Sequence, residues 1–247
     1  MQSNEKTVLV TRPAHQSDHL CGLLTASGFT PIRYPTIAIQ AVENTARISN
    51  TLYQHSNYDY LIFISANAVI QADRLIDHQW QKTPSGIIAI GPKTADTLDQ
   101  LGLKPAITAA KPFNSERLLT QLPSDLKQKK GLIIKGKGGR TLLAEQLQKR
   151  GMTVDTLDVY QRTLPNNYKT SRIKKPAYIT ITSQLALDNL FLIPPRPIGE
   201  LKQQCTFVVF SERLARYASS LDCQHLLISH GASDKGLVSA ISQDKKR

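Results

Sequence analysis

The stretch IIAIGPKTADTL, residues 87–98, decides how the rest of the chain is read. Residues 87–90 are apolar without alternation, and all but Ala89 are β-branched. Such a run forms a strand covered on both faces. Gly91 then permits a tight turn without a Cβ clash, and resists substitution if its φ is positive. Pro92 suits the first helical position, where no N–H is needed. Lys93 stands beside the helix start and Thr94 lies in the first turn. The unit therefore predicts an anion site made from the dipole and the amides of Lys93, Thr94 and Ala95.

Working outward, the same strand–turn–helix unit recurs. Before it come strands at 7–10, 29–34 and 60–64, an extended piece at 36–40, and helices at 14–27 and 43–55. After it come strands at 106–109, 132–134, 152–160, 177–182, 206–210 and 226–229, with helices at 113–122, 141–150, 185–192 and 235–241. Strand alternating with helix predicts parallel sheets wound with helices. LVTRPAHQSDHLCGLLTASGF resembles LIIKGKGGRTLLAEQLQKRGM, and IAIGPKTADTLDQLG matches FVVFSERLARYASSLD at a constant offset of 120, since 210 − 90 and 221 − 101 agree. The order a-b-a′-b′ predicts two similar α/β domains. Pattern alone leaves open whether a pairs with b or with b′.

The 247 residues carry 31 Lys+Arg against 19 Asp+Glu, a net charge of +12. That excess points to an anionic partner. The basic residues are dispersed, which argues for a small polycarboxylate or plain solubility over a nucleic-acid stripe. Three cysteines, Cys21, Cys205 and Cys223, form no CxxC pair, as in a reduced cytoplasmic chain. No apolar run reaches the length of a membrane helix, and the first residues, MQSNEK, contain no signal region.

Gly131-x-x-x-x-Gly136-Lys137 is a P-loop only on paper, because its middle is strand and Gly138 stands where Ser or Thr would hold magnesium. Thr141 breaks a dinucleotide fingerprint started by Gly136 and Gly138. His15 and His19 lie one helical turn apart without the glutamate of a metalloprotease helix, so no metal is expected. What remains is a set of polar turns at strand ends: Thr11-Arg12, Ser65-Ala66-Asn67, Gly91 to Thr94, Gly136 to Arg140, Ser183-Gln184 and Ser211 to Arg213. Parallel sheets bind ligands at such ends. The plainer reading of each Ser or Asn is a helix N-cap.

These turns carry a resemblance. The pieces VLVTRP (8–13), FISANAV (63–69), IAIGPKTADTL (88–98), FNSERLL (113–119), LIIKGKGGR (132–140), VYQR (159–162) and ITSQLAL (181–187) are similar, in order and spacing, to uroporphyrinogen-III synthases over nearly the whole chain. The resemblance implies two flavodoxin-like domains with parallel sheets: 1–37 with 168–247, and an inserted 41–160, joined by extended linkers at about 36–40 and 161–167. It also implies that a pairs with b′ and b with a′. The implied activity closes hydroxymethylbilane, a linear tetrapyrrole, to uroporphyrinogen III, inverting the last ring and losing water without a cofactor. The substrate's pyrrole nitrogen expels the hydroxyl, so one weak acid and a folded substrate suffice, and positioning supplies much of the barrier.

In that family the residue at Tyr160 is the favoured acid, and a phenol is protonated at neutral pH. Read without the resemblance, Tyr160 is a strand aromatic. The substrate contacts implied are Arg12, Ser65, Asn67, Gly91, Lys93, Thr94, Ser115, Gly136, Arg140, Ser183 and Ser211. Ser211 and Leu214 stand where the family has Gly and Thr, a departure in the last third. The expected protein is a monomer in the cytoplasm, bound to neither membrane nor nucleic acid, in transient contact with hydroxymethylbilane synthase. The alternative is a non-enzymatic two-domain sensor of an anionic ligand.

Overall fold

The structure, a computed structural model, describes residues 6–43, 46–80, 86–139, 141–166, 176–193 and 198–244. The elements follow in chain order as β1 (Thr7–Val10), α1 (Asp18–Ala26), β2 (Thr30–Arg33), β3 (Ala38–Ala41), α2 (Ala46–Tyr53), β4 (Tyr60–Phe63), α3 (Ala66–Leu75), β5 (Gly86–Ala89), α4 (Pro92–Gln100), β6 (Ile107–Thr108), α5 (Ser115–Gln121), β7 (Lys130–Gly136), α6 (Leu142–Lys149) and β8 (Thr153–Thr163). Then come β9 (Tyr178–Ile181), α7 (Gln184–Leu192), α8 (Ile198–Gln204), β10 (Thr206–Val209), α9 (Glu212–Ser220), β11 (His225–Ile228) and α10 (Asp234–Asp244).

The chain divides into two compact units, Met1–Ala38 with Thr163–Arg247, and Ile39–Arg162. Among the described residues the first holds a sheet of order β11-β10-β9-β1-β2 and the second one of order β3-β8-β7-β4-β5-β6. The strand a (β1) pairs in parallel with b′ (β9), and b (β4) pairs in parallel with a′ (β7). Started at β9, the first sheet maps strand for strand on the second started at β4. Tyr178 sits opposite Thr206 and Val8, as Tyr60 sits opposite Gly86 and Gly131.

Each sheet buries both faces, as the unalternated apolar runs require. In the second unit Ile87 and Ala89 pack with Leu61, Phe63, Leu132 and Ile134 beneath α3 and α4. Ile88 points the other way, with Ile62 and Ile133, beneath Leu118 of α5 and Leu147 of α6. In the first unit Leu9, Ile179 and Phe207 meet α7 and α9, while Val8, Val10 and Val208 meet α1 and α10. Each fully buried side chain of this kind contributes about 1.5–3 kcal/mol.

Several expectations need correction. Residues 38–40 and 161–163, assigned to linkers, are strand: β3 and the end of β8 are neighbours in one sheet. Residue 167 and the start of the segment from 168 lie outside the described residues. Helix α8 was not foreseen. The condition of a positive φ at Gly91 is not met: at φ 177 and ψ 174 it is extended. What favours glycine there is the space, since a Cβ would lie 3.2 Å from Cβ of Phe113.

Candidate active site

In a parallel sheet every strand delivers its C-terminal end to the same edge. In the second unit that edge holds a cavity of about 260 Å3. Its wall includes Ser65, Ser115, Lys135, Gly136, Gly138, Gly139, Thr141, Thr156, Tyr160 and Arg162. Four residues singled out in the sequence, Ser65, Ser115, Gly136 and Tyr160, are thereby brought together.

Tyr160 is 2% exposed and owes its position to an irregularity in β8. Lys135 pairs with Asp158, but Gly136 pairs with Tyr160, so β8 carries one extra residue, Val159, at this point. A bulge turns two successive side chains to one face. Val159 and Tyr160 accordingly both join the core beneath α3. The strand continues past the bulge, and the Lys137 amide donates to the Tyr160 carbonyl at 2.7 Å.

The Tyr160 hydroxyl has two polar neighbours. Ser65 Oγ lies 3.1 Å from it, and Arg162 Nη2 donates to it at 3.1 Å. The Arg162 guanidinium carbon is also 5.5 Å from the ring centroid of Tyr160. Ser65 is the N-cap of α3, and its Oγ accepts from the Ala68 amide at 3.1 Å. On the other face Lys135 Nζ donates to Asp158 Oδ1 at 2.7 Å and to the Gly138 carbonyl at 3.2 Å, tying β7, β8 and the glycine turn together. Gly138 and Gly139 have φ of +78° and +94°, a conformation that calls for glycine.

The other sequence-predicted residues lie elsewhere. Gly91, Lys93 and Thr94 form the β5–α4 turn. The expected anion site is smaller than foreseen, because the Thr94 and Ala95 amides both donate to the Gly91 carbonyl at 3.0 Å. The N-cap carbonyl reaches the third and fourth helical amides, and only the earlier ones are left over. Asn67 is in the first turn of α3. In the first unit Ser183 and Ser211 cap α7 and α9, accepting from Ala186 and Leu214 at 3.2 and 3.4 Å. Arg12 donates to Asp234 at the start of α10, with its guanidinium carbon 5.2 Å from the ring centroid of Phe210. His19 also reaches Asp234, at 2.7 Å. Arg140 lies outside the described residues.

Sequence reading missed Arg162, Lys135 and Asp158. Arg162 stands inside VYQR, two residues past Tyr160. In a strand that spacing puts side chains on one face, so the signal was present. The Lys135–Asp158 pair depends on strand register, which the sequence did not reveal.

Fold and site define a two-unit parallel α/β protein with a phenol, a hydroxyl and a guanidinium converging at strand ends. A family model described as uroporphyrinogen-III synthase HemD matches residues 18–239. The chain belongs to the uroporphyrinogen-III synthase family. It is 27% identical to the uroporphyrinogen-III synthase of Escherichia coli K12, covering 95% of this chain and 99% of that one. It is 32% identical to that of Proteus mirabilis, covering 63% of this chain and 80% of the relative. The fold matches a Helicobacter pylori uroporphyrinogen-III synthetase structure with a TM-score of 0.61, at 15% identity over 98% of this chain and 100% of the other. A mutant uroporphyrinogen III synthase from Thermus thermophilus gives 0.59, at 17% identity over 97% of each. The sensor alternative is not favoured in a family whose members bear the names of synthases.

Proposed function

We propose that this protein closes hydroxymethylbilane to uroporphyrinogen III, inverting the last ring and releasing water, with Tyr160 as the proton donor. The observation that carries the choice of residue is the Tyr160 hydroxyl at the cavity wall, held by Ser65 and Arg162. The substrate's pyrrole nitrogen pushes out the hydroxyl. Tyr160 protonates that oxygen as the carbon–oxygen bond breaks, and water leaves. For the last ring to invert, its substituted α carbon attacks first. The bond from that carbon to its original bridging methylene then breaks, and the freed methylene bonds to the unsubstituted α carbon, whose proton returns to the phenolate directly or through water. A donor of this kind contributes about 10²–10⁴-fold.

The cavity is read as the seat of the reacting pyrrole ring. Ser115 and the Gly136 turn line it and are read as contacts to that ring's substituents. The other predicted contacts, Arg12, Asn67, Gly91, Lys93, Thr94, Arg140, Ser183 and Ser211, are read as carrying the remaining carboxylates. Arg12, although paired with Asp234, has five N–H donors, enough to share. We read each unit as a flavodoxin-like domain. The first supports this with the strand order 2-1-3-4-5 when its strands are numbered along the chain. The protein is read as a cytoplasmic monomer that takes its unstable substrate from hydroxymethylbilane synthase. Among the described residues no helix is long and apolar enough to cross a membrane.

The test is incubation with freshly made hydroxymethylbilane and isomer analysis of the product. The type III isomer is expected. Type I alone, at the uncatalysed rate, overturns the assignment.

A further inference from the structure

The Tyr160 hydroxyl sits between two groups of different hydrogen-bonding capacity. Arg162 has donors only, so the phenol oxygen must accept from it, through one lone pair, at 3.1 Å. Ser65 Oγ already accepts from the Ala68 amide on one side and lies 3.1 Å from the phenol oxygen on the other. Its own hydrogen is free to point at Tyr160. If it does, both lone pairs of the phenol oxygen are filled, and the phenol's one hydrogen has no outlet except the cavity.

We propose that Ser65 and Arg162 are positioning residues for Tyr160: together they aim its proton into the cavity and hold the phenolate that remains when the proton has gone. The proposal rests on the reading of Tyr160 as the acid. Charge develops on the phenol oxygen only as the substrate hydroxyl departs, so both donors strengthen in the transition state more than in the ground state. That is the condition for an effect on rate and not on binding. The three residues come from two elements. Ser65 is fixed by the cap of α3, Tyr160 by the bulge, and Arg162 by the same strand two residues on. None needs to move for the donors to act, which is the preorganisation such a site requires.

The experiment is a double-mutant cycle on the whole protein, with kcat, KM and isomer composition measured for hydroxymethylbilane. Arg162→Met should lower kcat roughly 10–100-fold, the range for a hydrogen bond to a charged group, with KM within about threefold. Arg162→Lys should recover part of the loss. In a Tyr160→Phe background Arg162→Met should have almost no further effect, because there is no phenolate left to hold. Ser65→Ala should lower kcat by less than Arg162→Met, and Ser65→Thr, which keeps both cap and hydroxyl, should restore it. Equal losses from Arg162→Met in both backgrounds, or a loss confined to KM, overturn the proposal and leave the assigned reaction standing. A wild-type protein that makes no type III product overturns the reaction itself, and the two failures are thereby told apart.

Discussion

A Cβ placed on Gly136 would lie 2.5 Å from Cζ of Tyr160 and within 2.9 Å of two further atoms of its ring. The glycine exists for the tyrosine: it is the floor on which the ring rests opposite the bulge. Gly136→Ala must displace the ring, and overpacking of this kind destabilises by about 1–3 kcal/mol. Turnover should fall with it. Gly102→Ala is the control, since its φ of +75° is likewise left-handed, nothing lies within 4 Å of its added Cβ and it is not on the cavity wall. Its left-handed backbone makes the change roughly 1–2 kcal/mol unfavourable without touching Tyr160. Melting curves and turnover of both variants decide: equal turnover would detach Gly136 from the tyrosine.

Tyr160→Phe removes the hydroxyl and leaves the packing. We expect kcat to drop about 10²–10⁴-fold with little change in KM. Steady-state kinetics within twofold of wild type would take Tyr160 out of the chemistry.

Gly91→Ala should cost little: its extended backbone carries no conformational strain, and the added Cβ, 3.2 Å from Cβ of Phe113, asks that neighbour to shift by only a few tenths of an ångström. We expect less than about 1 kcal/mol in a urea titration, in the range of ordinary surface changes. A much larger loss would mean that Phe113 is held rigidly over the turn.

Asn189 is buried and donates its amide to the Thr36 carbonyl at 2.7 Å, while Thr36 in turn donates to the Thr11 carbonyl from its amide at 3.0 Å and its hydroxyl at 3.2 Å. Asn189→Leu leaves the Thr36 carbonyl without that donor, for about 1–3 kcal/mol. The Tm should fall by several degrees, and an unchanged Tm would show that another donor takes the place of Asn189.

Burial pushes the phenols of Tyr58 and Tyr178 up to about 12, helped by the hydrogen bonds they donate to Asp155 and Asp244. A raised folded value favours the protonated form in the folded state. The stability this provides is complete below the ordinary value near 10 and is lost as pH rises from there towards 12. Denaturant midpoints should decline over that window, less steeply in the Tyr58→Phe/Tyr178→Phe double variant. Parallel declines would rule these two phenols out as the cause.

The strand–turn–helix unit was legible because burial on both faces leaves an unbroken apolar run, as at Ile87 to Ile90. The caps at Ser65, Ser183 and Ser211 were legible for the same local reason. The bulge at Val159 was not, because the extra residue is defined only against β7, which lies more than twenty residues earlier. The pairing of residues 38–40 with 161–163 was hidden likewise: each segment is placed in a sheet only because the other lies beside it, more than a hundred residues away in the chain. The loss of the Thr94 and Ala95 amides to Gly91 was an error of helix geometry, correctable from the sequence alone.

The interleaving of the two units has a consequence for synthesis. β1 pairs with β9, so Val8, Leu9 and Val10, all fully buried at the end, meet their central partner only when residue 178 has been made. At about 5–20 residues per second the wait is on the order of ten to thirty seconds. The second unit, continuous from Ile39 to Arg162, emerges whole in that interval and has every strand it needs. The nascent chain thus carries a complete second unit behind an apolar β1–α1–β2 piece whose one bare edge waits for β9.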